Sequence, residues 1–160
     1  MKILGIDPSL NACGVAIVND GKLAAWDTLN SSKMKNIFDT KLAEYANKAS
    51  CIFSQIKVIV KKEKIDLICL EVPEHFGVSG YMARESGSIF KLTFLCGMLC
   101  SLPDIRVFPP RIWKGQIPKE VMRNRFIKKF PDLDIKNLDH NILDAMGIAL
   151  YGYETYDKGE

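Results

Sequence analysis

Apolar positions near the start of the chain come in short runs, each about as long as a β-strand. Residues 2–6 and 13–18 form two such runs, and both are rich in residues that favour strands. The Asp-Gly pair in "NDGK" (residues 19–22) is typical of a tight hairpin turn, and "LAAWDTL" follows it. The first 30 residues therefore predict three antiparallel strands joined by short connections.

The pattern then changes to a helical one. Several apolar residues are separated by alternating steps of four and three, which places them on one face of a long helix. They are Phe38, Leu42, Tyr45, Ala49, Ile52, Ile56 and Ile59. The continuous apolar run "IDLICLEVP" comes next and has the length of a parallel strand buried on both faces, which Pro73 ends.

The second half of the chain alternates between helical and strand-like segments. Residues 81–101 predict a helix, "IRVFPP" a strand, residues 118–129 a basic helix and residues 140–153 a final apolar helix. The order predicts an α/β fold with a mixed five-stranded sheet, three strands antiparallel and then two parallel, flanked by helices. We expect a single domain over residues 1–155 and a flexible tail over residues 156–160.

Composition narrows the class of protein. Of the 160 residues, 48% are hydrophobic and 26% are charged, which is ordinary for one globular domain. No apolar run approaches the roughly 20 residues of a membrane span, and no basic and then apolar leader precedes the first strand. We therefore expect a cytoplasmic protein that has no membrane-spanning segment.

Positive charge is concentrated in one part of the chain. The formal net charge is only +3, yet residues 106–129 contain eight basic residues and a single acid, Glu120. Such a segment indicates an anion-binding face, with a solvated basic helix as the alternative. Its basic residues are Arg106, Arg111, Lys114, Lys119, Arg123, Arg125, Lys128 and Lys129.

Two acids occupy matching places at the ends of predicted strands. Asp7 and Glu71 each end an apolar run, and each is followed within two residues by proline. If these strands pair in parallel, their carboxyl ends lie about 5 Å apart and the two carboxylates face each other. Like charges that close are unfavourable unless a cation bridges them. The pattern therefore predicts a metal site.

A third acid, Asp144, lies at the polar edge of the predicted final helix, in "LDHNILDAMGIALYG". His140 and Asn141 precede it by four and three residues and can share its face of the helix, whereas Asp139 is less well placed. Carboxylate and water oxygens suit Mg²⁺ or Mn²⁺, and a histidine ligand would favour Mn²⁺. We expect the three acids to complete one metal site.

These acids stand in three motifs: "ILGIDPSLNACGVAIV" around Asp7, "ICLEVP" around Glu71 and "NILDAMGIAL" around Asp144. Their order resembles the RuvC family of Holliday-junction resolvases, within the RNase H-like superfamily, and most of all its phage-encoded branch. The block "GIDPS" is typical of that family. The resemblance covers residues 1 to about 153, and it implies an RNase H-like fold for the predicted sheet.

The resemblance implies two Mg²⁺ or Mn²⁺ ions, bound by the three acids at the phosphate that is cut. The family usually has a further acid or a histidine three residues before the last aspartate, where this chain has Asn141. The fourth ligand therefore stays open among Asn141, His140 and Asp139. His140 is in addition a candidate catalytic residue.

The family also places lysines near the acids, and Lys114 and Lys119 in "FPPRIWKGQIPKE" match them by order and spacing. Ammonium groups there would hold the phosphate and offset the charge of the transition state. After the second acid the family presents an aromatic residue to the bases, with Phe76 and Tyr81 as candidates here and core packing as the alternative. The predicted DNA-binding residues are Phe76, Tyr81, Arg111, Lys114, Lys119, Arg123 and Arg125.

The implied activity is hydrolysis of phosphodiester bonds in Holliday junctions or other branched DNA, leaving 5′-phosphate and 3′-hydroxyl ends. A two-fold symmetric junction implies a homodimer, and no organic cofactor is expected. If the protein is phage-encoded, it would act in the cytoplasm of the host cell. Two alternatives remain: an RNA/DNA-hybrid nuclease of the same superfamily, and a branched-DNA-binding module that does not cleave.

Overall fold

The computed structural model describes residues 1–31, 40–73 and 88–156. Its centre is a five-stranded sheet made of β1 (Lys2–Asp7), β2 (Ala12–Asn19), β3 (Lys22–Asn30), β4 (Leu67–Glu71) and β5 (Ile105–Phe108). The helices of the described residues are α1 (Lys41–Glu63), α2 (Ser88–Leu99), α3 (Pro110–Trp113), α4 (Lys119–Lys129), a 3₁₀ turn (Ile135–Asn137) and α5 (His140–Tyr156).

The strands lie side by side in the order β3-β2-β1-β4-β5. β1, β2 and β3 pair antiparallel, β4 pairs in parallel with β1, and β5 pairs in parallel with β4. This arrangement confirms the predicted fold class. Because β1, β4 and β5 run in the same direction, their carboxyl ends meet at one edge of the sheet, where α/β proteins place their sites.

The hairpin between β2 and β3 has the turn that its sequence predicts. Asp20 and Gly21 both have positive φ, 48° and 74°. Two consecutive residues of positive φ match the right-handed twist of the flanking strands, and Asp-Gly adopts them at low cost. The turn therefore sets the register of the two strands.

The long helix α1 begins and ends with defined caps. The Thr40 hydroxyl accepts a hydrogen bond of 3.2 Å from the Ala43 amide, and Lys64 ends the helix in the left-handed conformation. The second predicted helix is observed from Ser88 onwards, and α5 continues to Tyr156 rather than ending at residue 153. Across the described ranges every helix is too short or too polar to cross a membrane. The predicted Phe38 and residues 81–87 lie outside the described residues.

The sheet has a hydrophobic core on each face. Ile3 in β1 packs with α5 on one face, whereas Leu4 and Ile6 pack with α1 and α2 on the other. Successive residues of β1 thus alternate between the two cores, as a strand covered on both sides requires. Helix α5 covers the centre of its face, and its position decides where the residues it carries lie.

Two glycines of the sheet allow α5 to lie unusually close. A Cβ atom at Gly5 would overlap the Ala145 carbonyl oxygen, and one at Gly14 would overlap the Asn141 carbonyl. The helix backbone therefore rests directly on β1 and β2, with no side chain between them. Further along the helix, a Cβ atom at Gly152 would overlap the Cys69 sulfur of β4, so this glycine leaves space for that side chain.

We predict that Gly5→Ala lowers the free energy of unfolding by about 1–3 kcal/mol, because the added methyl group must push α5 off the sheet. Urea denaturation of the purified protein measures the change. Gly97→Ala in α2 is the matched control, since, outside its own helical turn, no described residue has an atom within 4 Å of the Cβ it would add. There we expect stabilisation of roughly 0.5–1 kcal/mol from the helix interior. Equal stability of Gly5→Ala and the unmodified protein would contradict the close packing of α5.

Candidate active site

Asp7 and Glu71 end two neighbouring parallel strands. Ile6 in β1 pairs with Leu70 in β4, so the next residue of each strand is one of these acids. Glu71 in turn pairs with Phe108, the last residue of β5. The two predicted acids therefore stand side by side at the carboxyl edge of the sheet.

Helix α5 brings the third acid to the same edge. Ala145 packs over Gly5, which lies two residues before Asp7 in β1. Asp144 precedes Ala145 in the helix and so lies over the end of the strand. The charge of Asp144 raises the pKa of both Asp7 and Glu71, as expected for carboxylates that lie near one another.

Burial and the charges of neighbouring carboxylates make ionisation of Asp7 and Glu71 costly. Burial is the largest cause that raises the pKa of Asp7, well above its ordinary value, and the charges of Glu71 and Asp144 raise it further. The positive charges of Lys114 and Lys119 act in the opposite direction without cancelling the effect. Burial raises the pKa of Glu71 as well. The site thus concentrates negative charge that attracts cations.

The ammonium group of Lys114 lies among the acids. Its Nζ is 2.9 Å from Asp144 Oδ2 and 3.6 Å from Glu71 Oε2. The three side chains are only 21%, 13% and 14% exposed, so water screens these ion pairs less than surface pairs. Burial by itself would lower the pKa of Lys114, but the surrounding carboxylates outweigh it and raise the pKa. Lys114 therefore stays charged and offsets part of the repulsion.

The three acids have the chemistry of a site for a hard divalent cation. Asp7, Glu71 and Asp144 offer carboxylate oxygens, the ligands that Mg²⁺ and Mn²⁺ prefer. In the part of the chain that the structure describes, no three Asp, Glu, His or Cys side chains are already arranged as a metal-holding group. Instead, the Lys114 ammonium contacts two of the acids, and it would have to release a carboxylate for a cation to bind there.

Trp113 also contacts one of the acids, although the sequence analysis did not single it out. Its indole Nε1 donates a hydrogen bond of 2.9 Å to Glu71 Oε2. This hydrogen bond favours the ionised form of Glu71 and lowers its pKa, against the larger effect of burial. The available signal was a tryptophan beside a candidate lysine, since a tryptophan N–H that is taken out of water needs an acceptor.

The candidates for a fourth ligand occupy different surroundings. Asn141 Nδ2 donates a hydrogen bond of 2.7 Å to the Ala12 carbonyl, which ties α5 to β2. His140 is exposed, and its Nδ1 lies 3.3 Å from Asp139 Oδ1. A cavity of about 330 Å³ between α4 and α5 is lined by residues that include Lys119, His140 and Asp144. Asn141 thus has a structural contact, whereas His140 borders an open cavity.

The predicted DNA-binding residues do not share one environment. Lys119, the first residue of α4, and Arg111 and Arg125 are exposed. Arg123 is used within the protein, because its Nη1 donates to the carbonyl oxygens of Ile135, Lys136 and Leu138 at 3.0, 2.7 and 3.1 Å. Phe76 and Tyr81 lie outside the described residues.

Comparison with known proteins gives matches in structure alone. No family model and no curated protein matches the chain in sequence. Thermus thermophilus RuvC in complex with a Holliday junction superposes with a TM-score of 0.73 at 14% identity, over 99% of this chain and 96% of that chain. A second Thermus thermophilus RuvC structure has a TM-score of 0.72 at 17% identity, over 99% and 97%. The chain has the RuvC fold. Fowlpox virus resolvase, solved with Holliday junction DNA, shares this RuvC-like fold with a TM-score of 0.57 at 19% identity, over 98% and 99%.

We predict that Asp7→Asn stabilises the RuvC-like fold when no metal is bound. Because the pKa of Asp7 is higher in the folded than in the unfolded chain, folding favours the protonated acid. The protonated Asp7 contributes its full stabilisation below the pKa that aspartate has in the unfolded chain. This stabilisation is lost as the pH rises through the higher pKa of the folded protein. At neutral pH, placing this acid in the folded site therefore lowers the free energy of unfolding, and asparagine removes that cost.

Urea denaturation in EDTA should show a larger free energy of unfolding for Asp7→Asn at pH 7.5, with the difference decreasing as the pH is lowered towards about 4. Asp132→Asn, at an exposed position, is the control and should behave like the unmodified protein at each pH. A destabilised Asp7→Asn at pH 7.5 would contradict the charge repulsion described above.

We predict that Arg123→Ala lowers the free energy of unfolding by about 2 kcal/mol, because three carbonyl groups lose a charged donor. Arg125→Ala, on the same helix and exposed, is the control and should change it by less than about 0.5 kcal/mol. Thermal and urea unfolding followed by circular dichroism measure both. Similar effects of the two substitutions would rule out the structural role of Arg123.

Proposed function

We propose that this protein is a metal-dependent nuclease that cleaves branched DNA, with four-way junctions as its principal substrate. The observation that carries the proposal is the convergence of Asp7, Glu71, Asp144 and Lys114 at the strand edge of a RuvC-like fold. Each acid comes from a separate element. A fold stabilised only by its core gains nothing from holding three carboxylates together, whereas hydrolysis of a phosphodiester does.

The structural neighbours support the choice of substrate. Thermus thermophilus RuvC and fowlpox virus resolvase were both solved with Holliday junction DNA. In this chain, the exposed Lys119, Arg111 and Arg125 lie in the segment that follows β5 and that also carries Lys114. Positive groups there would bind DNA phosphates next to the acids, and such contacts depend on backbone shape rather than on base sequence.

The roles of the residues follow from their positions. Asp7, Glu71 and Asp144 would hold Mg²⁺ or Mn²⁺, with two ions per site, and Asn141 Oδ1 or His140 would be a further ligand. Bound there, the metal supplies activation of the attacking water and stabilisation of the departing 3′ oxygen. Lys114 would turn from the carboxylates to the phosphate and offset the charge that grows in the transition state. The products would carry 5′-phosphate and 3′-hydroxyl ends.

We also propose a homodimer, because a four-way junction presents two equivalent strands that must both be cut. The α1–α2 side of the sheet offers apolar side chains for contact with a second copy. Leu42 near the start of α1 is 62% exposed, and Phe90 near the start of α2 is 68% exposed. Sedimentation velocity of the free protein and of its complex with a junction measures the number of copies.

The proposal is tested by cleavage of labelled four-way, three-way, Y-shaped and linear DNA and of an RNA/DNA hybrid, each with Mg²⁺, Mn²⁺ or EDTA. We expect metal-dependent cutting of the branched DNA, with four-way junctions preferred. Asp7→Asn should reduce cleavage by roughly 100-fold or more, as the loss of a metal ligand requires. Junction binding should stay equal or become tighter, since a negative charge near the phosphates is removed.

Asp132→Asn serves as the control and should cut at the normal rate. Preferential cutting of the hybrid would identify an RNA/DNA-hybrid nuclease instead. Tight junction binding with no cleavage under any metal condition would identify a passive DNA-binding module. Unchanged cleavage by Asp7→Asn would remove the three acids from the proposed mechanism.

A further inference from the structure

Trp113 lies in the short helix α3, which begins directly after β5. Pro109 is extended, with φ of −71° and ψ of 152°, and Pro110 occupies the first turn, where its ring suits a helix start. The chain therefore turns within two residues of Phe108, the end of β5. Because β5 ends beside β4, this turn places the Trp113 side chain next to Glu71.

Among the described residues, three contacts of the Trp113 side chain bear on the site. Its Nε1 donates the hydrogen bond of 2.9 Å to Glu71 Oε2. Its ring lies over Gly147 of α5, where a Cβ atom would overlap the ring. The Lys114 ammonium lies 4.7 Å from the ring centre, within the range of a cation–π interaction. A single side chain therefore connects β4, α5 and the catalytic lysine.

We propose that Trp113 is a positioning residue that sets the orientation of Glu71 and of Lys114 for metal binding. The inference rests on the proposed function and extends it to a residue that does not itself contact metal or DNA. The indole holds Oε2 of Glu71, and Lys114 approaches the same oxygen. Both contacts are made by Oε2, so neither of them occupies Oε1 of Glu71.

The positioning role of Trp113 requires its hydrogen bond to Glu71, whereas a purely structural role would require only its packing. A phenylalanine ring would occupy much of the same space over Gly147 but has no N–H to donate. Among the side chains that the structure describes, Glu71 would then keep Lys114 at 3.6 Å, which is longer than a strong hydrogen bond. The carboxylate would be free to turn towards the ammonium and away from the metal. Gly147 contributes because only a residue without Cβ leaves space for the indole.

The test compares Trp113→Phe with the unmodified protein by Mn²⁺ titration of the DNA-free protein, using isothermal calorimetry and Mn²⁺ paramagnetic resonance. We expect the dissociation constant for Mn²⁺ to rise by about 10- to 100-fold, the range found when a partner of a metal ligand is lost. The KM for a four-way junction should change by less than about 2-fold while kcat falls, because DNA contacts are retained. Trp26→Phe, which changes the other tryptophan, is the matched control and should leave Mn²⁺ binding unchanged.

A second variant removes the donor and keeps the shape of the side chain. Benzothienylalanine at position 113 replaces the indole N–H with sulfur, so the ring still fits over Gly147 and folding is retained. It should weaken Mn²⁺ binding to the same degree as Trp113→Phe. Gly147→Ala, which displaces the ring without touching the acids, should also weaken it.

The outcomes separate this inference from the proposed function. Normal Mn²⁺ affinity in a folded benzothienylalanine variant overturns the role of Trp113, even if the unmodified protein cleaves junctions. Weakened Mn²⁺ affinity in that variant supports the role, even if no substrate tested is cut by the unmodified protein. Absence of Mn²⁺ binding by the unmodified protein overturns both.

Discussion

Three carboxylates that lie together in a half-buried cleft repel one another, and the rest of the site depends on how this repulsion is offset. Burial and neighbouring charge raise the pKa of Asp7 and of Glu71, so both ionise at a cost to the folded state. Lys114 lies against two of the acids and reduces that cost. Such a site sacrifices stability, which is common where function requires a strained arrangement of charge. A metal ion and a DNA phosphate are the groups that this arrangement suits.

Close packing between α5 and the sheet makes the cleft possible. Asp7 and Glu71 are neighbours because their strands pair, but Asp144 arrives from the other end of the chain on a helix. Gly5 and Gly14 let the helix backbone rest directly on two strands. A side chain at either position would lift the helix and move the third acid away from the strand ends. The glycines of the first two strands are therefore as important to the site as the acids.

The segment after β5 supplies the positive charge and the hydrogen-bond donor that complete the cleft. Pro109 and Pro110 turn the chain immediately after the strand. Trp113 at the end of the short helix α3 and Lys114 directly after it then contact the acids. Groups held in place before substrate binds need little rearrangement during the reaction, which is the main source of electrostatic catalysis. The same segment continues into a basic helix whose exposed side chains suit a DNA backbone.

Local patterns in the sequence determined the strands, the hairpin turn, the long helix and the places of the three acids, because each depends on residues close together in the chain. The periodicity of apolar residues indicates which face of a helix or strand is buried. An apolar run that stops at an acid and a proline indicates the end of a strand. Only the tertiary structure decided which donor meets which acceptor. The Asn141 side chain donates a hydrogen bond to the Ala12 carbonyl, 129 residues away in sequence. Arg123 donates to carbonyl groups that include that of Ile135, and the Trp113 indole donates to Glu71. These contacts follow from how α4, α5 and the segment after β5 pack in the folded chain. Residue type alone specifies neither the distance nor the direction between a donor and its acceptor.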